Sequence, residues 1–90
     1  LLPLDAATLK RVALLGPMAD QPYDQLGTWL FDGDHTFSQT PLVSFHDALP
    51  AHIDFDHVKY LETTRSYDLS EAETAIQAAR HAEVTVVFLG

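Results

Sequence analysis

The chain has no cysteine, which excludes disulfides and thiolate zinc sites. It also has little positive charge, with five Lys and Arg against thirteen Asp and Glu, for a formal net charge of -8. This charge repels a phosphate backbone and an anionic membrane surface, so we expect neither a nucleic-acid partner nor a membrane partner. No apolar run approaches the roughly twenty residues of a membrane-spanning helix. The composition leaves the location open, since periplasmic or secreted and cytoplasmic proteins can both look like this.

Ninety residues, 47% of them hydrophobic, are enough for one small globular unit or part of one. The sequence starts without Met and stops directly after an apolar run, so we expect it to be a piece of a longer protein. Residues 1–8, in which Pro3 interrupts an apolar start, are predicted to be a linker from a preceding domain. Residues 9–90 are predicted to be the N-terminal portion of a larger domain.

Three apolar runs, at residues 12–15, 58–61 and 84–89, alternate with stretches of helical periodicity. This pattern predicts strands joined by crossover helices, and therefore a mostly parallel sheet. The first and third runs are apolar at nearly every position, which is typical of strands that are covered on both faces. The predicted class is α/β, with about three strands and two crossover helices present.

Helix signals support the two crossovers. Thr40 followed by Pro41 predicts the start of the first helix, and Pro50 predicts its end. Ser70 with Glu73 fits the capping box at the start of the second helix. That helix carries a stripe of mostly small residues, predicted to pack on the sheet, at Ala72, Ala75, Ile76 and Ala79.

The loop after the first strand reads LGTWLFDGDH and carries the only tryptophan, Trp29. It leaves the carboxyl edge of the sheet, where open α/β folds bind their ligands. A flat aromatic side chain can stack on the C–H face of a sugar ring, and the neighbouring Asp32 and Asp34 can bind hydroxyls. The alternative is that Trp29 is a core residue that fills a domain interface.

Other parts of the sequence give weaker indications of a binding site. Pro17 after Gly16 removes an amide that a dinucleotide would need, so no nucleotide cofactor is expected. The run HIDFDH at residues 52–57 could offer metal ligands, but we predict that it precedes the second strand, at the end of the sheet away from the ligand edge. We predict no metal site, and we expect Asp20 and Asp24 to cap turns.

Four segments, LLPL, RVALLGPMAD, LGTWLFDGD and AIQAARHAEVTVVFLG, resemble in order and spacing the second, C-terminal domain of glycoside hydrolase family 3. The resemblance is to bacterial β-glucosidases in particular. It implies a three-layer α/β/α sandwich that follows a barrel domain. It also implies an aspartate nucleophile from the barrel and a glutamate acid/base from a loop after the last strand, so that this chain holds no catalytic residue.

The resemblance further implies a retaining hydrolase that removes β-D-glucosyl units from the non-reducing end without a cofactor. The partners would be a β-glucoside substrate and the N-terminal barrel domain, and the sugar-holding tryptophan of the family corresponds to Trp29. The segment alone is expected to be inactive, because it lacks the pair of carboxyl groups, and unstable or self-associating, because its sheet would have an exposed edge. The alternative is a non-catalytic α/β interaction module, in which Trp29 and Phe31 anchor another domain.

Overall fold

A computed structural model describes residues 2–90 and shows a three-stranded parallel sheet with two α-helices. In chain order the regular elements are β1 (Arg11–Leu15), α1 (Pro41–Ala48), β2 (Asp54–Val58), α2 (Ala72–His81) and β3 (Val84–Val87). The strand order is β2-β1-β3, with both pairings parallel. The predicted α/β class and the two helical crossovers are confirmed. Leu1, the first residue of the predicted linker, lies outside the described residues.

Strand β1 is the centre of the sheet and of the core. Its last four residues are buried, and Ala13 and Leu14 have no exposed surface. A strand with neighbours on both sides and cover on both faces reads as a continuous apolar run, as predicted for residues 12–15. Burial of such a run is the main driving force for folding in a chain of this size.

Helix α2 packs on one face of the sheet through small residues. Ala75 and Ala78 of the helix form a buried cluster with Ala13 and Leu15 of β1. Alanine at these positions lets the helix axis approach the sheet closely. The predicted stripe is confirmed for Ala75 and for Ala79, which is partly buried against this cluster, while Ala78 was not predicted to take part.

Helix α1 contacts strand side chains at positions that alternate with those contacted by α2. The ring of Phe45 stacks on the ring of Phe55 in β2, with centroids 6.2 Å apart and planes 13° apart. Phe55 is the register partner of Val12, which alternates with Ala13 along β1. Successive side chains of a strand point to opposite faces, so α1 and α2 contact residues of opposite parity.

The second strand lies earlier in the chain than predicted. It spans Asp54–Val58, so the prediction of residues 58–61 was wrong except at its first residue. Pairing starts where the amide of Asp54 donates to the carbonyl of Lys10 across 2.8 Å. It ends before Tyr60, whose φ of 49° is incompatible with an extended strand.

Two other local predictions were wrong. Strand β3 ends at Val87 and its side chains are alternately half-buried and exposed, so its two faces are covered unequally and neither is fully buried. The capping box of α2 does not form, since the helix begins at Ala72 and the Glu73 carboxylate accepts a hydrogen bond from Gln77 instead (2.7 Å). The Thr40 cap of α1 is confirmed: its hydroxyl accepts a hydrogen bond from the Val43 amide.

Candidate functional site

The three strands end at a common edge, where the backbone amides of Gly16 and Met18 link the end of β1 to the ends of the other two strands. The Gly16 amide donates to the carbonyl of Val58 in β2 across 3.1 Å. Two residues later the amide of Met18 donates to the carbonyl of Phe88, just after β3, across 3.2 Å. Gly16 has a φ of 111°, and a side chain there would overlap the carbonyl oxygen of Phe88. Glycine is therefore required for the central strand to turn here.

An open cleft of about 500 Å³ lies at this edge. Its lining comes from the segments that follow each of the three strands: Met18, Asp24, Thr63, Thr64, Arg65 and Gly90. The three segments meet closely, because a Cβ added to Gly90 would lie 2.5 Å from Thr64 Cγ2 and 3.2 Å from Met18 Cγ. The volume falls within the range of small-molecule sites, and the position is the one where open α/β sheets bind ligands.

The cleft lining is partly polar and partly apolar, and it carries charges of both signs. Asp24 offers a carboxylate, Arg65 a guanidinium group, and Thr63 and Thr64 offer hydroxyls. Thr63 also shapes its own turn, since its hydroxyl accepts a hydrogen bond from the Arg65 amide (3.3 Å). Among residues 2–90 the ion pairs involve Arg11, His46 and Lys59, so Arg65 has no carboxylate partner there. Its guanidinium group can donate to a ligand.

Trp29 lies on the loop that leaves the carboxyl end of β1. Its side chain is 87% exposed, so the ring is not buried in the core of the described chain. It is also not among the residues that line the cleft, although Asp24 of the same loop is. Gly27, with a φ of 76°, redirects the backbone between Asp24 and Trp29. The indole is therefore presented to solvent on a loop anchored at the sheet edge.

The base of this loop is held by contacts between its two ends. The rings of Tyr23 and His35 meet edge to face, with centroids 6.2 Å apart. The side-chain amide of Gln25 donates to the carbonyl of Gln39 across 3.0 Å. These contacts close the loop on itself and leave its tip, with Trp29 and Phe31, exposed.

The predicted role of Asp34 in binding hydroxyls competes with a local one. Its Oδ1 atom accepts hydrogen bonds from the hydroxyl and from the amide of Thr36, at 2.6 and 2.9 Å. These two bonds, the hydroxyl one first, hold the pKa of Asp34 below its usual value. Asp34 caps the short helical turn His35–Phe37. Both aspartates are exposed, and within residues 2–90 only Asp34 is engaged in these local hydrogen bonds.

The two aspartates after β1 have different roles. Asp20 is structural, as predicted, because its carboxylate accepts a hydrogen bond from the Thr40 hydroxyl. Asp24 begins a turn whose N-cap residue is Tyr23, so its predicted capping role was wrong; it lines the cleft instead, which sequence reasoning missed. The run of Thr63, Thr64 and Arg65 was missed as well. The available signal was its place directly after a strand, at the carboxyl edge.

The run at residues 52–57 begins at the predicted end of the sheet, away from the carboxyl edge, but it does not stop before the strand. Asp54, Asp56 and His57 are part of β2 itself, not of a loop before the strand. Asp54 pairs with Arg11 across 3.7 Å, while the half-buried His57 packs beside α1. No group of three potential metal ligands is found within residues 2–90.

In the part of the chain that the structure describes, no helix has the length and apolar character to cross a membrane. Comparison of the chain with protein-family models, with curated proteins and with solved structures gives no match.

Proposed function

We propose that this chain is part of a retaining hydrolase that cleaves β-D-glucosidic bonds from the non-reducing end, and that Trp29 contacts the substrate. The proposal rests on the motifs that resemble glycoside hydrolase family 3 and on one structural observation. That observation is the indole of Trp29, 87% exposed on a loop that leaves the carboxyl end of the central strand. An exposed flat ring on a loop that also contributes Asp24 to a cleft with polar groups offers both kinds of contact that a sugar makes, stacking and hydrogen bonding.

The proposed domain is a three-layer α/β/α sandwich, of which residues 9–90 are the first part. The contacts of the two helices support this. Helix α1 contacts Phe55, the register partner of Val12, whereas α2 packs on Ala13 and Leu15, which alternate with Val12 along β1. Crossovers between parallel strands are right-handed, so a chain that moves first to one side of β1 and then to the other places its helices on opposite faces. Further strands and helices would complete the sheet.

The proposed catalytic carboxylates come from outside this chain. A retaining glycosidase needs two carboxyl groups about 5 Å apart, one as the nucleophile and one as the acid/base. In the proposed enzyme an N-terminal barrel domain supplies the aspartate nucleophile, and the loop after β3 supplies the glutamate acid/base. Gly90 lines the cleft, so a loop that continues from it starts beside the substrate.

The test is Trp29→Ala in the full-length protein, with Trp29→Phe as the matched control that keeps a flat ring. Loss of a stacking contact lowers kcat/KM on an aryl β-glucoside by about tenfold, and Phe restores part of it. The melting temperature stays close to that of the wild type, because the ring is exposed. A wild-type protein without activity on any aryl glycoside of a panel would overturn the proposal.

The second candidate is a non-catalytic α/β interaction module. One observation favours it: Phe31 and Phe37, 92% and 87% exposed, stand on the same loop as Trp29. Clustered exposed aromatic residues are typical of a surface that another domain covers. If the chain is such a module, the wild-type protein has no glycosidase activity. Trp29→Ala then lowers the melting temperature of the full-length protein.

A further inference from the structure

We propose that the cleft at the carboxyl edge binds a free α-amino acid, in which Arg65 contacts the ligand carboxylate and Asp24 contacts the ligand ammonium group. The ligand class is a zwitterion with an apolar side chain. This goes beyond the function proposed above and does not rest on it, because the evidence is two charged groups of the described chain and neither Trp29 nor the family resemblance.

Asp24 and Arg65 carry opposite charges into one cleft, yet they do not pair with each other. Within residues 2–90 neither side chain takes part in an ion pair, and neither charged group makes a hydrogen bond. By contrast, Lys59 and Glu62, which precede Arg65 in the same crossover segment, pair across 3.3 Å. Both charges of the cleft are therefore available to a ligand that bridges them.

The two charges indicate a ligand that is itself charged at both ends. An anion would gain Arg65 but meet the carboxylate of Asp24, and a cation would gain Asp24 but meet the guanidinium group of Arg65. A zwitterion satisfies both, since a guanidinium group binds a carboxylate through two parallel hydrogen bonds and a carboxylate accepts from an ammonium group. An α-amino acid carries both groups on one carbon, so it is small enough for a cleft of about 500 Å³.

The remaining lining residues fit the rest of an amino acid. The Thr63 hydroxyl accepts a hydrogen bond from the Arg65 amide, so its own proton is left to donate to the ligand carboxylate. Met18 is the large apolar side chain of the lining, and the Cγ2 methyl of Thr64 lies against Gly90. These groups offer an apolar surface to the ligand side chain, whereas a third charge on the ligand would find no partner in the lining.

The experiment titrates the full-length protein with L-leucine and measures binding by saturation-transfer difference NMR. Two matched ligands each lack one charge: N-acetyl-L-leucine has no ammonium group, and L-leucinamide has no carboxylate. We expect each derivative to bind about fivefold more weakly than leucine, the size of one exposed ion pair.

Variants of the two charged residues assign the contacts. Arg65→Gln weakens leucine binding about fivefold and no longer distinguishes leucine from leucinamide, since the group that binds the carboxylate is gone. Asp24→Asn weakens leucine binding in the same way and no longer distinguishes leucine from its acetyl derivative. The controls are Arg80→Gln in the last turn of α2 and Asp32→Asn in the Trp29 loop, two exposed residues outside the cleft lining, and both keep the wild-type affinity.

Three results would overturn the amino-acid site. They are the absence of saturable leucine binding by the wild-type protein, equal affinities for leucine and its two derivatives, and wild-type affinity for leucine in both charge variants. If the variants do not fold, the comparison of the three ligands on the wild-type protein decides. The function proposed above is tested separately, by the glycosidase activity of the Trp29 variants.

Discussion

The hydroxyl of Thr40 donates a hydrogen bond to the carboxylate of Asp20 across 3.0 Å and accepts one from the Val43 amide at 3.4 Å. Thr40 is only 4% exposed, so both bonds form largely out of water. The first bond fixes the segment that follows β1, and the second caps α1. One side chain thus joins the start of the first crossover helix to the backbone that leads into the Trp29 loop.

Thr40→Ala removes both bonds and leaves the Asp20 carboxylate without this donor. We expect the free energy of unfolding to fall by about 1–3 kcal/mol, as for the loss of a helix cap together with a hydrogen bond. Thr40→Ser keeps the hydroxyl and should cost less than about 1 kcal/mol. Urea denaturation of both variants checks this. Equal losses of unfolding free energy in the two variants would show that the Thr40 hydroxyl does not stabilise the fold.

Gly16 is required at the carboxyl end of β1 for two separate reasons. Its φ of 111° and ψ of 157° are accessible almost only to glycine, and a Cβ would overlap the carbonyl of Phe88. Gly27 has a similar backbone, with a φ of 76° and a ψ of -178°, but no atom stands within 4 Å of an added Cβ. The two positions therefore separate backbone strain from overlap.

We expect Gly27→Ala to destabilise the protein by about 1–3 kcal/mol through backbone strain alone. Gly16→Ala adds the overlap with Phe88, which costs about 1–3 kcal/mol more. Thermal denaturation of the two variants measures the difference. A smaller loss at position 16 than at position 27 would contradict the close contact between the end of β1 and β3.

The central strand could be predicted from the sequence because its environment is simple. Residues 12–15 are all apolar and all buried, so composition alone identifies them. The N-terminus of α1 was predictable for a similar reason, since Thr40 and Pro41 act within one turn of the backbone. Where the local residue preferences and the tertiary packing favour the same structure, the sequence is sufficient to predict the element.

The position of β2 was predicted wrongly because its residue types do not favour a strand. Asp54 and Asp56 are residue types that strands disfavour, and their exposed side chains give an acidic run that is typical of a loop. Pairing with β1 overrides this preference, since the half-buried Phe55 packs against Phe45. The register that decides the outcome is a long-range property, which a single sequence does not display.

The cleft was only partly predictable. The carboxyl edge of the sheet was expected to bind a ligand, and Trp29 drew attention because it is the only tryptophan. Arg65 and Asp24 are ordinary residue types in loops, and they lie 41 positions apart along the chain. Their presence in one cleft depends on how two crossover segments meet, so the only signal in the sequence is that each residue lies in a segment that follows a strand.

The side chain of Glu83 ties the starts of β1 and β3 together at the opposite edge of the sheet. Its Oε2 atom accepts hydrogen bonds from the backbone amides of Lys10, at 2.6 Å, and Arg11, at 3.4 Å. These bonds, that from Lys10 above all, hold the pKa of Glu83 below its usual value. The folded state therefore favours the ionised carboxylate more than the unfolded state does.

This shift makes the stability of the protein sensitive to acid. A carboxylate whose pKa is lower in the folded state stabilises the fold above its unfolded pKa, about 4.3 for glutamate, and the contribution is lost as the pH falls through the lowered value. Glu83→Gln removes the charge, so the wild type should melt at a higher temperature than the variant at pH 7. The gap should close below about pH 4, as Glu83 takes up its proton.

Asp32→Asn is the control, an exposed carboxylate that accepts no side-chain hydrogen bond in the described part of the chain. Melting curves from pH 7 to pH 3 check the prediction, and a gap of constant size across that range would show that the charge of Glu83 does not stabilise the sheet.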